Sequence, residues 1–187
     1  GQARITMQTA KSIAVYAGDN DTIRVGAGST IAIGGKGADS INTTFGSGPE
    51  GADIILGDNG VIVQNTETGS VIAHLLRVET TFDDQGDVDY ITTGYGGDVI
   101  LAGLGDDIVN AGDGNNIIFG DNGEIVGLDI APVDGQGRPI TLDTLSTTEA
   151  GIGGIDTIIA GLDSDIVMGG AQGDFITTNA TETAGLY

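Results

Sequence analysis

The residues of this sequence best suited to chemistry are aspartates that recur within a glycine-rich, nine-residue phrase. Its clearest copy is Gly34–Asn42, which reads Gly-Gly-Lys-Gly-Ala-Asp-Ser-Ile-Asn. Glycine at positions 2 and 4 permits positive φ in a tight bend and turns carbonyl oxygens to one side. The aspartate at position 6 adds an anionic oxygen to those carbonyls. Hard oxygen ligands of this kind suit a calcium ion.

The same frame recurs in three blocks. The first block holds Tyr16–Arg24, Val25–Ile33, Gly34–Asn42 and, after the irregular Thr43–Ser47, Gly48–Leu56. The second holds Asp84–Thr92, Thr93–Leu101, Ala102–Asn110 and Ala111–Phe119, and the third holds Gly151–Ile159, Ala160–Met168 and Gly169–Thr177. Glycine bends that alternate with short aliphatic strands predict an all-β fold, a parallel β-roll or β-solenoid of nonapeptide repeats.

Two nonapeptides make one coil of such a roll, so residues 18 apart are expected to stack. The predicted pairs of position-6 residues are Asp21 with Asp39, Asp89 with Asp107, Asp98 with Asn116, and Asp156 with Asp174. Neighbouring strands lie about 4.8 Å apart, where two carboxylates repel each other unless a cation lies between them. Magnesium prefers a stricter octahedron and zinc prefers nitrogen or sulfur ligands. We therefore expect several calcium ions.

Two Gly-Asp-Asn-Gly phrases, Gly57–Gly60 and Gly120–Gly123, each precede an apolar connector without the nonapeptide pattern. Paired apolar segments around a glycine-containing loop predict β-hairpins that interrupt or flank the roll. Repetition of this unit predicts two super-repeats and a partial third, with boundaries at 1–83, 84–150 and 151–187. Tandem copies of one unit are typical of an array.

Composition supports a cation-binding role and argues against several others. The net charge is −21, from 27 acidic and 6 basic side chains, yet 39% of the residues are hydrophobic. A chain without a basic patch cannot neutralise phosphates, so nucleic acid is not an expected partner. Cysteine is absent, and no apolar stretch reaches the length that membrane insertion needs. We expect a soluble chain whose targeting signal lies outside this sequence.

The motif closely resembles the RTX (repeats-in-toxin) family, the calcium-binding β-rolls of secreted bacterial toxins, proteases, lipases and adhesins. In that family the carbonyls of positions 2 and 4 and the carboxylate of position 6 bind calcium between loops. The resemblance also implies an extracellular or cell-surface location. Together with the stacked pairs, it gives these expected calcium residues: Asp21, Gly35, Gly37, Asp39, Asp53, Asp89, Gly94, Gly96, Asp98, Gly103, Gly105, Asp107, Gly112, Gly114, Asn116, Asp156, Asp165, Gly170 and Asp174.

Some copies depart from the motif. Position 4 is aspartate in three copies and Gln172 in a fourth; the three aspartates are Asp19, Asp87 and Asp163. Position 6 is Thr30 in one copy and Asn116 in another, so sites that use them should be weak or empty. Ile152 at position 2 of Gly151–Ile159 predicts an imperfect bend. Asp58 and Asp121 either cap a row of calcium ions or bond to the backbone of their own turn.

These features predict a calcium-binding structural or adhesive segment of a large secreted or cell-surface bacterial protein. Calcium outside the cell would fold it, and copies of the chain are expected to associate end to end. The alternatives are a sugar- or ice-binding module and the non-catalytic tail of a secreted hydrolase. An enzyme is not expected, because His74 is the only histidine and lies in an apolar run.

Overall fold

A computed structural model describes residues 9–12, 18–26, 28–48, 51–65, 74–81, 84–127 and 142–178. Every regular element in these segments is a β-strand, which confirms the all-β prediction. The described segments contain no helix of the length and apolarity needed to cross a membrane. The strands are β1 Thr9–Lys11, β2 Thr22–Arg24, β3 Ile31–Ile33, β4 Ser40–Asn42, β5 Ile54–Leu56, β6 Gly60–Asn65, β7 His74–Thr80, β8 Tyr90–Thr92, β9 Val99–Leu101, β10 Ile108–Asn110, β11 Ile117–Phe119, β12 Gly123–Gly127, β13 Leu142–Thr147, β14 Thr157–Gly161, β15 Ile166–Met168 and β16 Phe175–Thr178.

Two parallel sheets form the roll. The first, which we call the outer roll sheet, has the order β16-β14-β10-β8-β4-β2, and the inner roll sheet has the order β15-β11-β9-β5-β3. Nonapeptides alternate between the two sheets, so one coil consists of two nonapeptides, as predicted. Position-8 residues align from strand to strand: Ile91, for example, pairs with Ile41 on one side and with Val109 on the other. These residues meet between the two sheets and form the core of the roll.

A third sheet is antiparallel and contains the predicted hairpins. Its order is β1-β6-β7-β12-β13, in which β6 with β7 forms one hairpin and β12 with β13 the other. Apolar residues of this hairpin sheet pack on the outward side chains of the inner roll sheet, including Leu56, Leu101 and Phe119, all 0% exposed. The middle strands of the inner roll sheet, β5, β9 and β11, are therefore buried on both faces, which explains their continuous apolar triplets such as Ile117–Phe119.

The hairpins leave the roll without breaking its stack. Strand β4 pairs in parallel with β8 across the first hairpin, and β10 pairs with β14 across the second. The two ends of each hairpin meet: the Thr81 amide donates to the Asn59 carbonyl at 2.9 Å, and the Thr148 amide donates to the Asn122 carbonyl at 3.0 Å. The three blocks of nonapeptides consequently form one continuous roll.

Candidate metal centre

Position-6 residues form two columns, one along each edge of the roll where loops cross between the sheets. Successive members are joined by a hydrogen bond from the backbone amide of one to the side-chain Oδ1 of the next. The first column is Asp21, Asp39, Asp89, Asp107, Asp156 and Asp174. The second column is Thr30, Asp53, Asp98, Asn116 and Asp165.

The four pairs predicted at 18 residues are all in contact within these columns. The amide of Asp89 donates to Asp107 Oδ1 at 2.7 Å, and the same bond joins each of the other three pairs. The columns extend further than the pairs, because Asp39 contacts Asp89 across a separation of 50 residues. Each column is therefore continuous along its edge.

The other carboxylate oxygen of the first column is buried without a partner in the described part of the chain. This holds for Oδ2 of four aspartates, which are at most 1% exposed: Asp39, Asp89, Asp107 and Asp156. Burial is the main cause that raises the pKa of each, and neighbouring carboxylates raise it further. The pKa reaches about 8 for Asp89, about 8 for Asp107 and about 7 for Asp156. In the absence of a cation, ionising these groups is costly.

Backbone geometry in the loops follows the nonapeptide pattern at most predicted glycines. Glycine with positive φ occupies both positions 2 and 4 in three loops, at Gly35 and Gly37, Gly103 and Gly105, and Gly112 and Gly114, and position 2 in two more, at Gly161 and Gly170. Asp163 and Gln172 take positive φ at position 4, with values of 83° and 65°, so a side chain there does not abolish the bend. Gly94 and Gly96 are not in the positive-φ region.

Asn116 in the second column forms hydrogen bonds through both ends of its side-chain amide. Its Nδ2 donates to the carbonyl of Ala160 at 3.0 Å and approaches the position-2 carbonyl of Gly112 at 3.5 Å. An amide donor thus lies where an aspartate would present a second anionic oxygen. Asp165, next in the column, has its pKa raised mainly by burial. Two further members, Asp53 and Asp98, are buried at 3% and 0% exposure.

Asp58 and Asp121 occupy position 2 of nonapeptides that the hairpins split, which sequence reasoning missed. The Gly35 amide donates to the Gly57 carbonyl and the Asp58 amide to the Ala102 carbonyl, which aligns Gly57-Asp58 with positions 1 and 2 of the neighbouring turns. The Asp121 amide donates to the Gly169 carbonyl in the same way.

Each split turn resumes after its hairpin. Reading Asp84–Thr92 and Gly151–Ile159 as unbroken nonapeptides was therefore wrong at their first two positions. Those positions belong to the segments before the hairpins, and Ile152 does not occupy a bend of the roll. The available signal was a Gly-Asp pair directly after each of two complete nonapeptides, Gly48–Leu56 and Ala111–Phe119.

A second hydrogen-bond ladder runs through position 5 and was also missed. Side-chain oxygens of Asn20, Asp106 and Asn115 accept the amides of Ala38, Ile155 and Ser164, respectively, at 2.8–3.2 Å. Asn and Asp at this position therefore link successive turns through their own side chains.

The residues present fit calcium. Parallel turns bring carbonyl-bearing bends next to one another, and each interval of the first column contains a buried carboxylate oxygen that no described group satisfies. No three acidic or histidine side chains of the described segments gather at one point. Calcium accepts carbonyl as well as carboxylate oxygens, so one aspartate per turn is compatible with a site made largely from backbone.

A roll of parallel nonapeptide turns with a buried aspartate column defines the class of calcium-binding β-rolls. The family model described as the RTX calcium-binding nonapeptide repeat, which spans four copies, matches residues 17–48, 92–124 and 151–180. The chain belongs to this family, which confirms the resemblance seen in the sequence. No curated protein and no solved structure matches it.

Proposed function

We propose that this chain is a calcium-dependent structural segment of a large secreted or cell-surface bacterial protein, without catalytic activity of its own. Calcium binding is the property of its repeat family, and the partnerless Oδ2 atoms of the first column are the observation that carries the proposal to particular residues. Asp39, Asp89, Asp107 and Asp156, with carbonyls of the adjoining bends, would hold the ions.

Calcium would act as a folding switch. Stacked acidic side chains and a net charge of −21 oppose a compact state when no cation is bound. Extracellular calcium modules work at about 10⁻⁴–10⁻³ M, well above the concentration inside a cell. A metal site that exists only in the folded state adds its binding free energy to folding. The chain would therefore fold after export.

Circular dichroism with and without chelator tests this proposal. Excess EDTA should abolish most of the β-sheet signal, and calcium added beyond the chelator should restore it. Magnesium at the same concentration is the control and should restore much less. A spectrum and melting temperature that EDTA leaves unchanged would overturn the proposal.

End-to-end association is part of the proposal. Within the described residues, β15 and β16 end their sheets, and an unpaired parallel strand can accept a strand of another chain. Phe175 and Ile176 on that last turn are 74% and 45% exposed. Sedimentation velocity should show association that requires calcium. A monomer at every calcium concentration would contradict an adhesive filament or stalk and leave the calcium-dependent fold intact.

The outer face of the outer roll sheet gives little support to an ice-binding alternative. The residues on this face form two rows across the strands. One row contains Thr22, Ser40, Tyr90, Ile108, Thr157 and Phe175, and the other contains Arg24, Asn42, Thr92, Asn110, Ile159 and Thr177. Neither row is a regular series of threonines. The tail of a secreted hydrolase would contain the same calcium roll and differs only in what it is joined to.

A further inference from the structure

The two junctions at which the hairpins leave the roll have the same backbone but different hydrogen bonding. At the second junction both oxygens of Asp121 are satisfied: Oδ1 accepts the Gly154 amide at 2.8 Å, and Oδ2 accepts the Ala171 amide. The Asp121 carboxylate therefore bridges the end of the segment before the hairpin and the start of the segment after it. This junction is closed by the protein alone.

Asp58 accepts only one of the two corresponding hydrogen bonds at the first junction. Its Oδ2 accepts the Leu104 amide at 2.6 Å, which corresponds to the bond between Asp121 and Ala171. Its Oδ1 has no partner among the described residues, although the side chain is only 3% exposed. Position 4 of this turn is Asp87, whereas the second junction has Gly154 there. The first junction thus contains a buried carboxyl oxygen without a described partner, which the second lacks.

The charges of three other carboxylates act on Asp58. Burial raises its pKa most, to about 10, and the charges of Asp89, Asp107 and Asp39 raise it further. Gly86 and Gly103 lie directly against this carboxylate, and a Cβ on either would collide with it. The glycines leave space for the side chain but provide no donor to Oδ1. A cation at this point would satisfy Asp58 Oδ1, and Asp89, whose Oδ2 lies against Gly57, is the candidate for a second carboxylate ligand.

We propose that Asp58 is a calcium ligand at the first junction, where an ion shared with Asp89 fastens the hairpin of β6 and β7 to the roll. This inference rests on the proposed calcium function. It adds a side-chain ligand at position 2, where the repeat otherwise supplies only a carbonyl. It also assigns Asp121 a different role, as a hydrogen-bonded closure that needs no metal.

Isothermal titration of the full chain with CaCl₂ tests the inference, with D58N as the variant and D121N as the matched control. D58N should bind one ion fewer than the unmodified chain, or bind one ion at least tenfold more weakly. D121N should keep the full number. Equal stoichiometry and affinity for D58N and the unmodified chain would overturn the role of Asp58. An unmodified chain that binds no calcium would overturn the proposed function itself.

Hydrogen exchange gives a second readout that misfolding would not imitate. Calcium should protect the amides of β6 and of β10 in the unmodified chain. In D58N the protection of β6 should fall while that of β10, deep in the roll, persists. G86A, whose Cβ would displace the Asp58 carboxylate, should reproduce this selective loss. Calcium protection of β6 that is unchanged in both variants would contradict the inference.

Discussion

The two edges of the roll come from the same nonapeptide but differ in what holds successive turns together. Along the first column, all six position-6 residues are aspartates, and four of them bury an oxygen without a partner in the described chain. Along the second, Thr30 and Asn116 interrupt the carboxylates, and the Asn116 amide donates to backbone carbonyls. A cation would satisfy the buried oxygens of the first edge, whereas at Asn116 of the second edge a neutral amide donates to a carbonyl instead.

Position 6 combines two roles, one for each terminal atom of its side chain. Its Oδ1 accepts a backbone amide from the preceding turn, and both aspartate and asparagine can do this, as Asp107 and Asn116 show. Its second atom is an anionic oxygen in aspartate and an N–H donor in asparagine. Under the proposed function, this second atom would distinguish a calcium turn from a hydrogen-bonded turn.

The largest effect is expected from D107N in the first column. Asparagine keeps the Oδ1 acceptor for the Asp89 amide but removes an anionic ligand. The calcium concentration at the folding midpoint should rise roughly tenfold or more, since tenfold corresponds to about 1.4 kcal/mol. Calcium titration followed by circular dichroism measures it. D84N removes an exposed carboxylate outside the column and is the control for the loss of one charge. Equal shifts in D107N and D84N would show that a buried carboxylate of the column matters no more than one on the surface.

N116D should give the second column a carboxylate of the kind that the first column has at every position 6. The aspartate would lose the amide bond to Ala160 and gain a buried oxygen, so the metal-free chain should lose about 1 kcal/mol of stability. In calcium, the variant should bind one ion more than the unmodified chain in a calorimetric titration. N110D, on the exposed face of the outer roll sheet, is the matched control. No gain of an ion in N116D would contradict the separation of roles at position 6.

Acid should have opposite effects on the calcium-free and calcium-bound chains. The pKa values of Asp89 and Asp107 rise from 3.8 to about 8 in the fold, so the metal-free fold retains protons that the unfolded chain releases. The stability that these retained protons give the metal-free fold is complete below pH 3.8 and is lost as the pH rises toward 8. In calcium the same protons compete with the ion, so acid should destabilise the fold. In EDTA the β-sheet circular dichroism should increase as the pH falls across this range, whereas in calcium the melting temperature should decrease; the same direction in both would contradict buried calcium ligands.

The smallest effect is expected from T30V at the end of the second column. Thr30 meets Asp53 through its backbone amide, and that bond is retained in valine. The free energy of unfolding should change by less than about 0.5 kcal/mol, as measured by urea denaturation in calcium. A loss comparable to that of D107N would show that the second column depends on position 6 as strongly as the first.

The local architecture could be predicted from the sequence because the nonapeptide is a local signal. Glycine bends and aliphatic residues such as Ile41 and Ile100 specify strand, turn and inward face within nine residues. The hairpins were visible for the same reason. Contacts within an uninterrupted block, such as Asp89 with Asp107, followed from counting residues.

The stacking of turns across a hairpin could not be predicted by counting residues. Asp39 meets Asp89 because an antiparallel hairpin brings its two ends together whatever its length, and loop-closure entropy grows only slowly with length. The split turns at Asp58 and Asp121 were missed for that reason, since their halves lie on opposite sides of an insertion. The amide donor role of Asn116 depends on the position of a carbonyl in the next turn, which no local pattern contains.

Calcium positions in a crystal grown with the ion test the central claim most directly. Anomalous difference maps should show peaks between successive loops of the first column, about 2.3–2.6 Å from the aspartate oxygens, with the Asn116 loop of the second column free of one. Peaks confined to exposed carboxylates, or equal peaks at Asn116 and Asp107, would contradict selective calcium binding by the first column.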